Sequence, residues 1–415
     1  MEKIREILHL QYSELRKKLN EKYIKREAEL KYLSEDLIKV IIGPRRSGKS
    51  FFAIHTLKET GNFIYLNFDD EELMKIKDIN GIMRISKEIY GDTRNVFMDE
   101  IQNYPEWEII SNRLQRQGYN LVLSGSNSNL LSSELSTHLT GRHIPIYIFP
   151  FSLSEYMNSI ENEQPFPENA LSDYANTGGY PEVILKNINL KDYLELLYDS
   201  VIYKDILQRY KIRKEFAISN IANHLISNIG TEFSFRTLAK ITEIKSIATL
   251  NRYLGYLSNS FLLFSVQRYS FKSKDILSHP GKIYSYDNGY IKAKSLSINK
   301  DIGKLYENLA AVYLMKKKLK GEIDFYFYTS NDKSYEVDFL VRRKNNNIEL
   351  IQVSYDISDD KTLQREIRAL INASKHFKTS ELILLNKSIE KEEYFEWFGE
   401  KRKIKFQKLS SWLRQ

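Results

Sequence analysis

The chain has 415 residues, 62 Lys and Arg against 54 Asp and Glu, a formal net charge of +8 and no cysteine. That length exceeds one ordinary hydrophobic core and predicts about two to four domains, while the absence of cysteine excludes disulfides, thiolate zinc sites and cysteine nucleophiles and fits an intracellular protein. No stretch approaches the roughly 20 apolar residues of a membrane span and MEKIREILHL lacks the apolar core of a signal peptide, so a cytoplasmic protein without membrane contact is expected. The mixed charge is compatible with nucleic acid without specifying it.

Residues 1–35 carry Ile4, Ile7, Leu8, Tyr12, Leu15 and Leu19 at the three-and-four spacing of an amphipathic helix. Arg16, Lys17, Lys18, Lys22 and Lys25 on it form a solvated charged face, with nucleic-acid contact as the alternative. Leu37–Ile42 then predicts a buried strand and Phe51–Lys58 a helix. The turn between them, Gly43-Pro44-Arg45-Arg46-Ser47-Gly48-Lys49-Ser50, fits the phosphate-binding loop G-x-x-x-x-G-K-[ST] at every position. The glycines let the backbone curl so that successive N–H groups, with the positive end of the following helix, face phosphate oxygens. Lys49 would reach the β and γ phosphates of ATP, and Ser50 would give its hydroxyl to Mg2+. Gly43 to Phe51 is therefore the expected nucleotide-binding segment. Arg45 and Arg46 would lean on phosphate or on Asp69 and Asp70.

Apolar runs at Phe63–Leu66, Val96–Met98, Leu121–Leu123 and Ile144–Phe149 predict a parallel α/β sheet with crossover helices over 36–155. The strand Val96-Phe97-Met98 ends in two acids. Asp99 would hold the Mg2+ shell, and Glu100 would orient and deprotonate the attacking water, which predicts hydrolysis rather than binding alone. The next strand ends Leu123-Ser124-Gly125-Ser126-Asn127, where Ser124 and Ser126 are candidates for sensing the γ-phosphate. Arg142, just before another strand, would either neutralise transition-state charge, in cis or across a subunit boundary, or form a structural ion pair.

Residues 156–212 predict a helical lid or linker around Gly178-Gly179-Tyr180-Pro181. Over 213–275, three helical patterns and a β-like run at Phe261–Val266 follow the order of a winged helix, with Ser246–Ser258 in the recognition position. Arg252, with Lys240, Lys245, Arg268, Lys272 and Lys274 nearby, forms a DNA-binding surface or a set of scattered solvated charges. From 276 to 415, a helix at Ile302–Leu319, strands at Ile323–Tyr328, Tyr335–Arg342 and Ile348–Val353, a helix at Lys361–Ser374 and a strand at Glu381–Leu385 predict a further α/β domain.

Taken in order, GPRRSGKS, Asn67-Phe68-Asp69-Asp70, VFMDEIQN, LVLSGSNS, LTGR, FPFSLSEY and GGYPE resemble the archaeal-type AAA-like ATPases of prokaryotes, over nearly all residues after about 30. The resemblance implies a P-loop NTPase parallel sheet, then a winged-helix element and a degenerate PD-(D/E)XK nuclease-like domain, with roles in DNA transactions, mobile elements or signalling. Its pattern places Glu307 on the first helix of the last domain, Asp338 on a strand, and Gln352-Val353-Ser354 where a nuclease carries Glu-x-Lys.

Phosphodiester cleavage needs acids to hold Mg2+ and usually a lysine to help the water or the charged transition state. Gln352 and Ser354 supply neither, so nuclease activity is not expected. Strand periodicity turns Glu349 with Ile351 and Val353 to the opposite face, which leaves Asp356, Arg365 and Glu366 as the groups that would have to migrate in. The expected function is Mg-dependent ATP hydrolysis that moves DNA-binding or docking modules. The alternative is a signalling switch ATPase that docks a protein without DNA. ATP and Mg2+ are the expected ligands, and DNA, a protein or a second copy of the chain the candidate partners.

Overall fold

A computed structural model of the protein describes residues 1–30, 37–126, 143–160, 169–186, 188–271, 280–295 and 302–415. The chain separates into one unit of Met1–Ser159 with Asn259–Phe261 and another of Ile160–Ser258 with Leu262–Gln415.

In the first unit, helix α1 (Glu2–Asn20) buries Ile4, Ile7, Leu8, Gln11 and Leu15 on one face, as the spacing predicts. It stops at Asn20 instead of running on towards residue 35, and residues 21–30 have no regular secondary structure. The reason lies in what that segment buries. Ile24, Arg26 and Leu30 are all inside, and Arg26 spends its guanidinium on backbone carbonyls of Ser47 and Phe149.

Five strands follow: β1 (Ile38–Ile42), β2 (Ile64–Asn67), β3 (Asn95–Asp99), β4 (Asn120–Gly125) and β5 (His143–Tyr147), with helices α2 (Lys49–Glu59), α3 (Ile79–Tyr90) and α4 (Trp107–Arg116) between them. The sheet runs β2-β3-β4-β1-β5 with every neighbouring pair parallel. All five residues of β1 are buried, as expected of a parallel strand covered on both faces, and its one charged residue, Lys39, donates to Asn120 Oδ1 at 2.7 Å. This is the expected P-loop NTPase sheet. Its order puts β4 between β1 and β3, so the C-terminal ends that carry the phosphate loop, Ser124 and Asp99 are neighbours. At the β2 edge, the Gln11 side chain of α1 takes both polar groups of Asn67: its amide donates to the carbonyl at 3.1 Å and its oxygen accepts the N–H at 3.0 Å.

The second unit includes α5 (Ala170–Thr177) and α6 (Leu190–Ser200), with Gly178-Gly179 and a short helix at Pro181–Lys186 between them. Gly178 has φ 74°, and a Cβ there would lie 2.0 Å from an Asp287 carboxylate oxygen. That carboxylate accepts from the N–H groups of Gly179 and Gly289, each at 2.8 Å, and burial pushes it up to about 6. Three helices, α7 (Glu215–Ser227), α8 (Phe235–Thr242) and α9 (Ile247–Asn259), precede β6 (Leu263–Val266), which pairs antiparallel with β7 (Lys282–Ser285). The β6-β7 pairing thus spans residue 275, where a domain boundary was expected.

Beyond α10 (Asn288–Lys294) and α11 (Ile302–Leu319), a mixed sheet of β8 (Ile323–Thr329), β9 (Glu336–Arg343), β10 (Ile348–Val353), β11 (Glu381–Asn386), β12 (Lys391–Trp397) and β13 (Glu400–Lys408) is ordered β12-β13-β11-β10-β9-β8. Helix α12 (Asp360–Phe377) packs Ile367, Leu370 and Ile371 into the core with Leu340, Leu350 and Leu384. No apolar alternation marks β12, a mostly exposed edge strand. Its charges are matched across the pair, as in Glu392 opposite Lys405 and Glu396 opposite Lys401. Among the described residues no helix is long and apolar enough to cross a membrane.

Replacing Asp287 with Ala leaves two buried backbone N–H groups without their acceptor. Urea unfolding of that variant should show a loss of about 2–3 kcal/mol; an unchanged midpoint would contradict the role given to Asp287.

Candidate functional site

The phosphate loop leaves β1 under a close-approach constraint. A Cβ on Gly43 would sit 1.8 Å from the Ile148 carbonyl. Ser47 Oγ donates to that same carbonyl at 2.8 Å, and the Ile148 N–H donates to Ile42 at 2.8 Å, so the loop is stapled to the residue that follows β5. Arg46 and Gly48 both take positive φ, 64° and 93°, the change of hand that turns successive N–H groups towards one concavity. Pro44 and Ser47 are buried, Arg45, Gly48, Ser50 and Phe51 half-buried and Arg46 exposed. Lys49 is buried, its ammonium donating to the carbonyls of Gly43 at 3.1 Å and Pro44 at 2.9 Å. The Phe51 ring lies 6.1 Å from that of His55, which stacks on Tyr23 at 4.3 Å.

Asp99, at the end of β3, is 3% exposed. Ser124 Oγ donates to its Oδ1 and accepts the Glu100 N–H at 3.2 Å, and the nearby Ser50 hydroxyl favours the charged form of the same carboxylate. Burial, then the neighbouring Glu100, pushes the Asp99 carboxyl above the usual aspartate range against the pull of Ser124 and Ser50. Glu100 itself is left-handed, with φ 50° and ψ 42°, a conformation that costs a non-glycine residue on the order of 1–3 kcal/mol and concentrates at functional sites. Gln102 Nε2 donates to its carboxylate at 2.5 Å. Among the described residues, Ser126 Oγ is buried without a hydrogen-bond partner. Asp99, Ser124 and the Glu100 backbone therefore form one bonded cluster beside Ser50, whereas Arg142 lies outside the described residues.

Asp69 and Asp70 have other work. Asp69 accepts from Asn103 Nδ2, and Asp70 caps the turn Glu71–Met74 and accepts from Gln11. Three residues near the site escaped the motifs. Arg26, besides its two carbonyls, forms an ion pair with Glu155 at 2.9 Å with both side chains 5% exposed. Lys18 is not part of a free basic face: its ammonium donates at 2.8 Å to the hydroxyl of Tyr65, which is 3.4 Å from Asp99 Oδ2. No spacing rule marks these residues, since each reads as one more charge or one more apolar strand position.

In the second unit, the residues assigned by resemblance do meet. Asn308 on α11 clamps the Ser285 N–H and carbonyl at 2.8 and 2.9 Å, which fixes its neighbour Glu307 beside β7. There Lys282, with a side chain 5% exposed, lies 2.5 Å from Glu336, 3.6 Å from Glu307 and 3.8 Å from Asp338. Tyr284 donates to Glu307 at 2.6 Å. Asp338 accepts the Val353 N–H at 2.9 Å, while Gln352 accepts the Asp338 N–H and donates to Glu366. The cluster lines a cavity of about 1110 Å³.

Glu366 has thus come in from α12. Glu349 instead pairs with Arg343 at 2.5 Å, as strand parity requires. Ser354 is buried and donates to the Asp356 carbonyl, and Arg365 is tied to Glu366. The cation that neutralises the group is Lys282, from a strand the sequence reading missed. Burial works against its charge, but Glu307, Asp338 and Glu336 outweigh it and hold the ammonium above the usual lysine range. Burial pushes Glu307 and Asp338 up. Among the described residues no group of three or more His, Cys, Asp or Glu side chains could hold a metal ion.

Removing this ammonium leaves buried carboxylates unpaired. Lys282→Met should destabilise the protein by about 3–5 kcal/mol near neutral pH. The carboxylates' folded-state pKa values would then stand further above their unfolded ones, so the deficit grows as pH rises through the unfolded carboxylate range and shrinks on acidification. Thermal unfolding across pH checks this, and a pH-independent deficit would contradict it.

Residues 35–157 match a family described as an AAA domain, residues 168–301 a domain of unknown function (DUF8612), and residues 302–398 a domain of unknown function (DUF4143). The chain is 34% identical over 378 residues to uncharacterized protein MJ1544 of Methanocaldococcus jannaschii, a span of 86% of this chain and 83% of that protein. An uncharacterized protein of Haemophilus influenzae is 29% identical over 353 residues, covering 80% and 86%. Among solved structures, the Walker-type ATPase PABY2304 of Pyrococcus abyssi is similar at 16% identity and TM-score 0.42, over 62% of this chain and 90% of that one. AMPPCP-bound DnaA from Aquifex aeolicus is similar at 16% identity and TM-score 0.30, over 75% and 90%. The fold rests on the strand order and loop geometry above, not on these distant likenesses. The chain belongs to the family of the M. jannaschii protein MJ1544, and its first unit contains an AAA-type P-loop ATPase domain.

Proposed function

We propose that the protein hydrolyses ATP with Mg2+ and uses the cycle to move the modules that follow the ATPase domain while they dock DNA. The observation that carries this reading is the buried Asp99 carboxylate, bonded to Ser124 and close to Ser50 of a complete phosphate loop. A hydroxyl and a carboxylate are the hard oxygen donors that Mg2+ takes, and a buried carboxylate with a raised pKa is one that a cation relieves. Mg2+ would supply Lewis-acid neutralisation of charge developing on the phosphates, and Ser50 and Asp99 are the residues that would hold it.

The chain's own groups then divide the work. Gly43 to Phe51 cradle the phosphates. Lys49 exchanges the carbonyls of Gly43 and Pro44 for phosphate oxygens, and Ser50 with Asp99 holds the metal. Glu100 orients and deprotonates the water, and Ser124, with the unpartnered Ser126 hydroxyl, reads the γ-phosphate. Arg142 supplies transition-state charge, in cis or from a second copy.

In this reading residues 36–155 are the ATPase domain, 156–212 a lid, 213–275 a winged-helix-like module and 276–415 a nuclease-like module that does not cleave. Exposed Lys240, Lys245 and Arg252 on α8, α9 and their connection offer the DNA contact. A protein-docking switch without DNA is the second reading. It is favoured by Arg268, whose guanidinium is committed to the carbonyls of Thr329 and Ser330; Lys272 and Lys274 lie outside the described residues.

Lys49→Ala should abolish turnover, and Glu100→Gln should keep ATP bound while slowing hydrolysis at least about a hundredfold. Wild-type rates in both variants would overturn the assignment. Stimulation by duplex DNA that fades with salt supports the DNA reading, and the absence of any DNA response supports the switch.

A further inference from the structure

We infer that Tyr65 and Lys18 are positioning residues that orient the Asp99 carboxylate for the metal, so that α1 is built into the nucleotide site. The inference rests on the ATPase reading and names groups that no motif assigns. Tyr65 is fully buried on β2. Its hydroxyl receives the Lys18 ammonium at 2.8 Å and lies 3.4 Å from Asp99 Oδ2.

The direction of the chain follows from chemistry alone. An ammonium has protons and no acceptor, so Lys18 must donate to the phenol oxygen, and the single phenol proton is left for the carboxylate. Asp99 is then held at both oxygens, by Ser124 at Oδ1 and by Tyr65 at Oδ2. Such outer partners fix the orientation of a ligating carboxylate and tune its affinity for metal. Lys18 itself cannot drift, because α1 is anchored by its buried apolar face and by the two bonds between Gln11 and Asn67, which lies two residues beyond Tyr65 on the same strand. Displacing α1 would withdraw the cation that commits the phenol to Asp99.

Tyr90 supplies a matched control. Its ring is also buried and its hydroxyl donates to the Tyr65 carbonyl at 3.0 Å, with no bond to Asp99. The test uses the full chain saturated with ADP, with Mn2+ as the probe metal and free Mn2+ read by electron paramagnetic resonance. ADP affinity without metal is measured alongside.

Tyr65→Phe should weaken Mn2+ binding about tenfold and leave metal-free ADP binding unchanged. Lys18→Met should shift Mn2+ affinity in the same direction, and the double variant should be no worse than Tyr65→Phe alone, since both act through one proton. Tyr90→Phe should leave Mn2+ affinity at the wild-type level. Wild-type Mn2+ affinity in Tyr65→Phe, or an equal loss in Tyr90→Phe, overturns the positioning role while leaving the nucleotide site standing. A wild-type chain that binds neither ADP nor Mn2+ overturns the ATPase reading and this inference together.

Discussion

The nucleotide site turns on one buried charge. Asp99 sits where water cannot solvate it, and a carboxylate in that position is stable only with donors around it. The sheet order supplies them: β4 inserted between β1 and β3 brings Ser124 from one side, the loop following β1 brings Ser50, and β2 brings Tyr65 from the other. Each of these strands ends at the same edge, so a single electrostatic requirement explains why the phosphate loop, the acidic strand end and the edge helix α1 are tied together. The left-handed backbone at Glu100 belongs to the same arrangement, because its N–H must reach Ser124 while the chain turns away from the strand.

The second unit meets a similar problem and answers it differently. Glu307, Glu336 and Asp338 converge on one lysine ammonium from β7. That ammonium balances the charge of the carboxylates around it. Gln352, in the place of a catalytic acid, is consumed in bonds to the Asp338 N–H and to Glu366. The two units thus differ in how a buried carboxylate is partnered: hydroxyls donate to Asp99 in the first, and a lysine ammonium stands among the acids in the second.

What the sequence made legible was local. The phosphate loop could be placed because its spacing is dictated by backbone geometry over eight consecutive residues, and the helix Ile302–Leu319 and strand Ile348–Val353 have the bounds their apolar periods predict. The illegible parts depend on distant partners. Arg26 and Lys18 look like surface charge until their acceptors are known, and residues 21–30 looked helical because charge hid the burial of Ile24 and Arg26. Lys282 comes from a short strand outside any motif, and no periodicity predicts a cation supplied by a different element. The edge pair β12-β13 was missed because its alternation is of charge sign rather than of apolar and polar residues.

The most direct measurement is phosphate release from ATP by the purified full chain, followed with Mg2+ and again after chelation. Sustained release that requires Mg2+ is the expected result. Release at the enzyme-free baseline, or release indifferent to chelation, would contradict a hydrolytic site built around Asp99.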